Sequence, residues 1–257
     1  LETPIEILFE GANTDVYKVT NKPCSIDIDI KESFAYLFVG HWMEGDLGED
    51  RKNAGLLVKA FLETFKNKTK KPSLILKTSI VGSSHMDREE IIKRLKAITS
   101  TVSSNDLPNI YLLHGDFTDN EMNELYNHEK IKAMISLTKG EGYGRPLLEF
   151  SLSKKPIIVS GWSGHLDFLH KDFNIFIGGE LKNVHPTAAN QFLLKESQWF
   201  SPNHGQIGHS LTEVFKNYKK YKDLGKRQAH ISKTEFSWDN MKSLLSSILE
   251  KNIPEFP

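Results

Sequence analysis

The chain has 257 residues, and its 33 lysines and arginines balance its 33 aspartates and glutamates. This neutral composition gives no reason to expect a nucleic-acid or anionic-membrane partner, so local basic groups must carry any anion binding. The single cysteine, Cys24, excludes an internal disulfide framework, and we expect a cytoplasmic protein. The longest apolar run, residues 34–39, is too short to span a bilayer, so we expect any membrane contact to be peripheral.

Taken in chain order, short apolar segments predict β-strands along most of the chain. They lie at residues 5–9, 35–40, 73–78, 109–114, 133–137, 156–160 and 174–177. Amphipathic spacing and a capping box predict helices at residues 56–65, 91–98, 118–125, 206–221 and 239–250. The pattern weakens over residues 181–205. Because strands alternate with helices, we predict an α/β fold, a Rossmann-like parallel sheet with helices on both faces.

The most informative stretch is residues 138–149, where Glu141 and Glu149 bracket a glycine-rich turn that leads into a helix. Glycines that are free to adopt positive φ and approach a ligand stand at Gly140, Gly142 and Gly144. Pro146 suits the first helical position, and the helix dipole favours an anion such as a diphosphate. Glu149, about one turn into the helix, is placed to accept hydrogen bonds from a vicinal diol such as a ribose.

Polar loops follow several of the predicted strands. In parallel sheets of this kind ligands sit at the carboxyl ends of the strands. The loops that would gather there begin after residues 39, 76, 114, 137 and 160. We therefore expect a binding site assembled from these loops.

The sequence Glu-Gly-Tyr-Gly-Arg-Pro-Leu-Leu-Glu at residues 141–149 resembles the signature of glycosyltransferase family 4, group 1, which are retaining enzymes of the GT-B fold. Further segments resemble that family in the same order, at residues 38–61, 117–126, 155–165 and 236–239. The resemblance covers roughly residues 5–250 and implies the C-terminal, donor-binding half of such an enzyme. It implies an interdomain segment with a first strand at 1–32, a nucleotide-sugar-binding domain at 33–236 and a C-terminal helix and tail at 237–257. The acceptor domain would lie outside this chain.

The resemblance also implies roles for single residues. Glu141 would lie near the transferred sugar, while Lys52 would bind the diphosphate with Arg51 beside it, and we assign these three to catalysis. The donor-binding assignments are Glu149 on the ribose hydroxyls, Gly142, Tyr143, Gly144, His41, Lys77 and Leu148. His41 stands where the family commonly has an arginine. Either Arg51 replaces that arginine, or His41 binds the phosphates more weakly and in a pH-dependent way.

An Asp-x-Asp sequence at Asp27 and Asp29 resembles the way in which glycosyltransferases of another fold hold a divalent cation. Residues 25–30 alternate as a half-exposed strand would and lie far upstream of the glycine-rich turn, so we discount a metal role. No Cys/His cluster has zinc spacing. We expect no metal and no cofactor, because Arg51 and Lys52 would neutralise the leaving group.

The function predicted from the sequence is glycosyl transfer, with retention, from a nucleotide-diphosphate sugar to an unknown glycan, lipid or protein acceptor. An acceptor-binding domain, in the same or another chain, would complete the enzyme. The first alternative is a non-catalytic sugar-nucleotide-binding module of a larger assembly. The second is a sugar-nucleotide epimerase, which would need additional acid and base residues.

Overall fold

The computed structural model describes residues 5–20, 25–26, 28–191 and 193–252. The strands are β1 (Ala35–Val39), β2 (Ser73–Lys77), β3 (Ile110–Leu113), β4 (Ile131–Ser136), β5 (Ile157–Ser160), β6 (Ile175–Ile177), β7 (Gly179–Asn183) and β8 (Gln198–Pro202). The α-helices are α1 (Ala54–Phe65), α2 (His85–Ser100), α3 (Asp119–Asn127), α4 (Arg145–Ser151), α5 (His204–Lys216), α6 (Tyr218–Glu235) and α7 (Trp238–Asn252). Short 3₁₀ turns lie at Gly164–Asp167 and Pro186–Ala188.

Strands β1 to β6 form one sheet in the order β3-β2-β1-β4-β5-β6, and every pair in it is parallel. This confirms the predicted Rossmann-like sheet. The order reverses between β1 and β4, whose residues Leu37 and Met134 are in register. In open parallel sheets the crevice at such a reversal, beyond the carboxyl ends of the strands, is where ligands bind.

The sheet is covered on both faces because its strands are apolar on both sides. In β1, Tyr36 and Phe38 point into one core with α1 and α5, whereas Ala35 and Leu37 point into the other with α3 and α4. All four are fully buried. Helix α1 adds Leu57, Phe61 and Phe65 to the first core at helical spacing. The helices therefore pack on both faces, as predicted.

Helix α6 packs unusually close to the turn that follows α4. A Cβ added at Gly225 would lie 2.7 Å from the carbonyl carbon of Lys155 and 3.1 Å from the carbonyl oxygen of Lys154. The absence of a side chain therefore lets the α6 backbone contact the chain just before β5. Nearby, Gln228 donates to the carbonyl of Phe168 at 2.8 Å, which joins α6 to the segment that follows the 3₁₀ turn Gly164–Asp167.

The first described residues meet the C-terminal helix. Ala12 forms a parallel bridge with Ser237, and the Trp238 amide donates to the Ala12 carbonyl at 2.9 Å. Beyond this contact α7 has no buried residue, and Ile5 and Ile7 are 90% and 87% exposed. The domain boundaries at 32 and 236 stay predictions.

Two strand predictions near the N-terminus are wrong. Residues 5–9 form no strand, because no described strand lies beside them to complete the hydrogen bonds. The described part of the 25–30 segment is also not a strand, and the Ile30 amide instead donates to the Ile28 carbonyl at 2.9 Å. Asp27 lies outside the described residues. The other predicted strands are confirmed, with ends that differ by at most two residues.

The region after β6 differs most from the sequence prediction. Residues 179–202 contain an antiparallel pair, β7 and β8, which packs Trp199 over the ammonium of Lys139 at 4.6 Å. The helix predicted at 206–221 is two helices that meet at Asn217, and the second continues to Glu235. The predicted capping box at Thr118 and the helix at 239–250 are confirmed.

Among the described residues, no helix is both long and apolar enough to cross a membrane.

Substitution of Gly225 by alanine tests the close packing of α6. Alanine normally stabilises a helix interior relative to glycine, but here its Cβ would meet backbone atoms that cannot move aside. We expect the free energy of unfolding to fall by about 1–3 kcal/mol, as for overpacking elsewhere. Urea unfolding measures it, with Gly82→Ala as the control because nothing lies within 4 Å of that added Cβ. A Gly225→Ala variant at least as stable as wild type would contradict this packing.

Candidate functional site

A cavity of about 330 Å³ lies at the carboxyl ends of β1, β2, β3 and β4, at the reversal of strand order. Loops from each of these strands reach it, as the sequence predicted, whereas the loop after residue 160, which was also predicted to take part, does not line it. The predicted site residues on its wall are His41, Arg51, Lys52, Lys77, Glu141 and Gly144. Residues that the sequence analysis did not assign complete it, among them Ser79, Asp116 and Met122.

Lys52 and Glu141 form an ion pair across the cavity. The Lys52 ammonium donates to Glu141 Oε1, and the two side chains are only 13% and 12% exposed. Burial lowers the pKa of Lys52, and the Glu141 carboxylate opposes this shift. The pair joins the loop after β1 to the loop after β4, so two of the three residues assigned to catalysis are in direct contact.

The backbone around Asn53 fixes the position of Lys52. Asn53 adopts a left-handed conformation with φ 54°, is fully buried, and donates from Nδ2 to the Leu137 carbonyl at 2.9 Å. Its own amide donates to the Asp50 carbonyl at 3.1 Å. A short amide side chain tolerates this conformation better than most residues, which explains the asparagine directly before α1.

Arg51 lies beside the ion pair and binds the glycine-rich loop. Its Nη1 donates to the Gly140 carbonyl at 2.7 Å and lies 3.8 Å from Glu141 Oε2. In return, the Lys139 amide donates to the Arg51 carbonyl at 2.8 Å. The Arg51 side chain is 37% exposed, so its guanidinium can still reach a ligand in the cavity.

The glycine-rich loop is held by a second loop, after β5. The Glu141 amide donates to Ser163 Oγ at 2.9 Å, and this hydroxyl donates to the Glu141 carbonyl at 2.6 Å. Ser163 itself has φ 90°, a strained conformation for a serine. A Cβ on Gly164 would lie 2.1 Å from the Gly142 carbonyl oxygen, so only glycine permits this approach.

Of the three glycines in the turn, only Gly144 has positive φ, at 97°. The Gly140 carbonyl accepts from Arg51, and a Cβ built on Gly140 or Gly142 would have no atom within 4 Å, so the space beside both glycines is open to a ligand. Helix α4 begins at Arg145, so Pro146 is its second residue rather than its first.

His165 lies beneath this loop and is fully buried. Its Nε2 donates to the Ser160 carbonyl at 2.7 Å, and burial lowers its pKa. The ring is therefore neutral, with Nδ1 unprotonated and without a hydrogen-bond partner among the described residues.

His41 and Lys77 border the cavity from β1 and β2. His41 Nδ1 lies 3.0 Å from Ser79 Oγ, and its ring is exposed. The Lys77 ammonium donates to the Gly115 carbonyl and lies 4.5 Å from the centre of the Phe117 ring. Burial lowers the pKa of Lys77, and the nearby Asp116 carboxylate opposes this.

Glu149 lies on α4 outside the cavity wall. Its side chain is 8% exposed and accepts from Arg145 Nε at 3.1 Å. Burial raises the pKa of Glu149 to about 7, although Arg145 opposes the shift, and the Asp119 carboxylate adds to it. Tyr17, which donates to Asp119 at 3.0 Å, lies in the same buried cluster.

Three further donor-binding assignments also lie off the wall of this cavity. Leu148 is fully buried and its amide donates to the Gly144 carbonyl within α4. The Tyr143 ring packs on Phe168 at 5.0 Å, and burial raises the pKa of its hydroxyl to about 12. Gly142 is exposed.

Two important residues of the site were missed. Ser163 carries no local signal for its role, because its position depends on contacts with the loop after β4. Asp116 follows β3 by three residues and could have been found from its place at a strand end. In the part of the chain that the structure describes, no three His, Cys, Asp or Glu side chains cluster as a metal site would.

No protein-family model matches the sequence, and no curated protein matches it either. Solved structures share its fold. The C-terminal domain of a glycosyl transferase group 1 family protein, LpcC from Francisella tularensis, has a TM-score of 0.59 at 15% identity, over 89% of this chain and 100% of that one.

Two longer structures match as well. Anabaena Alr3699/HepE in complex with UDP-glucose has a TM-score of 0.65 at 12% identity, over 96% of this chain and 57% of that one. Sucrose-phosphate synthase from Thermosynechococcus elongatus has a TM-score of 0.61 at 11% identity, over 94% and 51%. The chain thus spans little more than half of these longer proteins. The predicted resemblance to the C-terminal half of group 1 glycosyltransferases is confirmed at the level of fold.

The raised pKa of Glu149 predicts a pH-dependent stability. Between the ordinary value of 4.5 and about 7, the folded state holds a proton that the unfolded state has lost, so stability falls as the pH rises. Glu149→Gln removes this loss, so the variant should gain stability relative to wild type from pH 4.5 to 7, by about 3 kcal/mol at most.

Urea unfolding at pH 5 and pH 8 measures the effect, and Glu196→Gln is the control because that side chain is exposed. A difference between Glu149→Gln and wild type that stays constant between the two pH values would contradict the assignment.

Proposed function

We propose that this chain is the donor-binding domain of a glycosyltransferase that transfers a sugar from a nucleoside diphosphate. The observation that carries the proposal is the cavity at the strand reversal, where Arg51 and Lys52 face Glu141 at the carboxyl ends of the strands. Two cations suit the diphosphate, and a carboxylate beside them suits sugar hydroxyls. The complexes of Anabaena HepE with UDP-glucose and with UDP, on the same fold, support this choice of ligand.

In the proposed complex the diphosphate separates Lys52 from Glu141. Lys52 and Arg51 then take the phosphate oxygens, and they stabilise the negative charge that develops as the sugar leaves. Glu141 is free to accept hydrogen bonds from the sugar. His41 and Lys77 stand on the wall beside them as further polar contacts.

Glu149 would bind the ribose, as the motif implies. Because the side chain is paired with Arg145 off the cavity wall, this contact requires it to leave Arg145 and turn toward the nucleotide. A ribose diol donates hydrogen bonds, so it favours the ionised carboxylate. Donor affinity should therefore rise with pH through about 7.

Catalysis in this proposal depends on positioning and electrostatics, without a metal. We assign no carboxylate as a nucleophile, which agrees with transfer that retains configuration by attack on the same face as the departing phosphate. The leaving phosphate would accept the proton of the acceptor hydroxyl.

An acceptor-binding domain would complete the site. The exposed helix α7 and the adjacent residues 5–9 support this, since Ile5, Ile7 and Leu249 leave apolar surface uncovered. Such a domain would close over the cavity and bring a glycan, lipid or protein hydroxyl to the donor. We place the assembled enzyme in the cytoplasm. A non-catalytic sugar-nucleotide-binding module remains the alternative, because the chain matches only the C-terminal part of the longer structures.

Donor binding is tested by calorimetric titration of the chain with UDP, GDP, ADP and their sugars. Lys52→Met should weaken binding of the preferred nucleotide sugar about tenfold or more, because one charge-assisted hydrogen bond to phosphate is lost. Lys59→Met, on α1 but off the cavity wall, is the matched control and should bind normally.

Absence of binding by every nucleotide would disprove the proposal. So would equal affinity of wild type and Lys52→Met. Binding without transfer, in a protein that also contains the acceptor domain, would favour the module.

A further inference from the structure

A second cavity, of about 580 Å³, lies away from the donor cavity and shares no residue with it. Its walls are the segment 14–19, the turn after α4 and one face of α6. Lys154 in that turn precedes β5, whereas the donor cavity lies at the opposite, carboxyl ends of the strands. Nothing in the proposed donor site accounts for this cavity.

The wall of the second cavity is strongly basic. Its basic residues are Lys18, Lys154, Lys226, His230 and Lys233, and no aspartate or glutamate borders it. Of these five residues, only Lys226 forms an ion pair within the part of the chain that the structure describes, with Asp223 at 2.7 Å. Helix α6 as a whole has six lysines and arginines against two acidic residues, in a chain with no net charge. Such a concentration of positive charge favours an anionic ligand.

Lys154 occupies its place at a conformational cost. Its φ is 63°, a left-handed conformation in which glycine is the favoured residue. Gly225 lets the α6 backbone pack directly on residues 154–155, so this turn is held against the helix that carries the other cations. A lysine at a position where glycine would fold more easily suggests a use for its side chain.

The floor of the cavity is apolar. Tyr17, Leu152 and Ala229 are 4% to 5% exposed and lie beneath the charged rim. We infer that the second cavity binds a phosphate monoester that carries an apolar group, from either a soluble metabolite or a lipid headgroup. The phosphate offers several acceptor oxygens to separate ammonium groups, while the floor takes the apolar group.

The inference is tested with octyl phosphate and inorganic phosphate, each titrated calorimetrically at pH 8. Wild type should bind octyl phosphate more tightly than inorganic phosphate because of the apolar floor. Lys154→Gly and Lys233→Ala should each weaken octyl phosphate binding about tenfold, and the exposed control Lys93→Ala should not. The Lys52→Met variant should bind it normally, which separates this cavity from the donor site.

Lys154→Gly also separates a loss of binding from a loss of stability, because glycine suits the left-handed position and should not destabilise the fold. It should unfold at the same or a higher urea concentration than wild type while losing the ligand. Binding to vesicles of phosphatidylcholine, with and without phosphatidic acid, shows whether the phosphate monoester is a lipid headgroup or a soluble metabolite. Vesicle binding that Lys154→Gly weakens indicates a lipid headgroup, and octyl phosphate binding without vesicle binding indicates a soluble metabolite. No binding of octyl phosphate, or equal affinity in Lys154→Gly, would overturn the inference.

Discussion

The ion pair between Lys52 and Glu141 joins the two halves of the sheet where the strand order reverses. Lys52 follows β1 and Glu141 follows β4, and both are largely buried. Around the pair, the side chains of Asn53 and Ser163 hold the two loops through hydrogen bonds to backbone groups. Removing one partner of such a pair is costly, because the other charge remains buried and alone. A ligand that supplies new partners to both groups at once avoids this cost.

Each glutamate of the motif is paired with a cation in the structure. Glu141 is paired with Lys52 and Arg51, and Glu149 is paired with Arg145. A nucleotide sugar would exchange these partners, since its diphosphate attracts the cations and its hydroxyls attract the carboxylates. Competition of this kind favours a complete donor, with sugar, over a free nucleotide. The electrostatics of the site therefore affect specificity as well as affinity.

The fold could be predicted largely because the central strands are buried on both faces and appear in the sequence as continuous apolar runs. Residues 5–9 have a similar pattern but no neighbouring strand, and a sequence does not show which strands will pair. The hairpin of β7 and β8 was missed because its first strand, Gly179–Asn183, is fully exposed and carries no apolar pattern.

The candidate site, like the fold, could be predicted from the sequence only in part. Glu141, Lys52 and Arg51 were found because their order along the chain matches a family motif, and the structure brings them together. The sequence could not show that Glu149 lies off the cavity wall, because the packing of α4 against the core sets the direction of its side chain. Ser163 was missed because its left-handed backbone depends on a distant loop.

The central claim is that one donor molecule separates the Lys52–Glu141 pair, with its diphosphate bound to Lys52 and its sugar bound to Glu141. Calorimetric titration of Glu141→Gln with UDP and with UDP-glucose tests it most directly, once wild type is shown to bind these ligands. The substitution frees Lys52 from its partner, so UDP alone should bind about tenfold more tightly than to wild type. The additional affinity that the sugar confers should shrink at the same time, because the carboxylate that accepts its hydroxyls is gone. Weaker or unchanged UDP binding to Glu141→Gln would contradict the account.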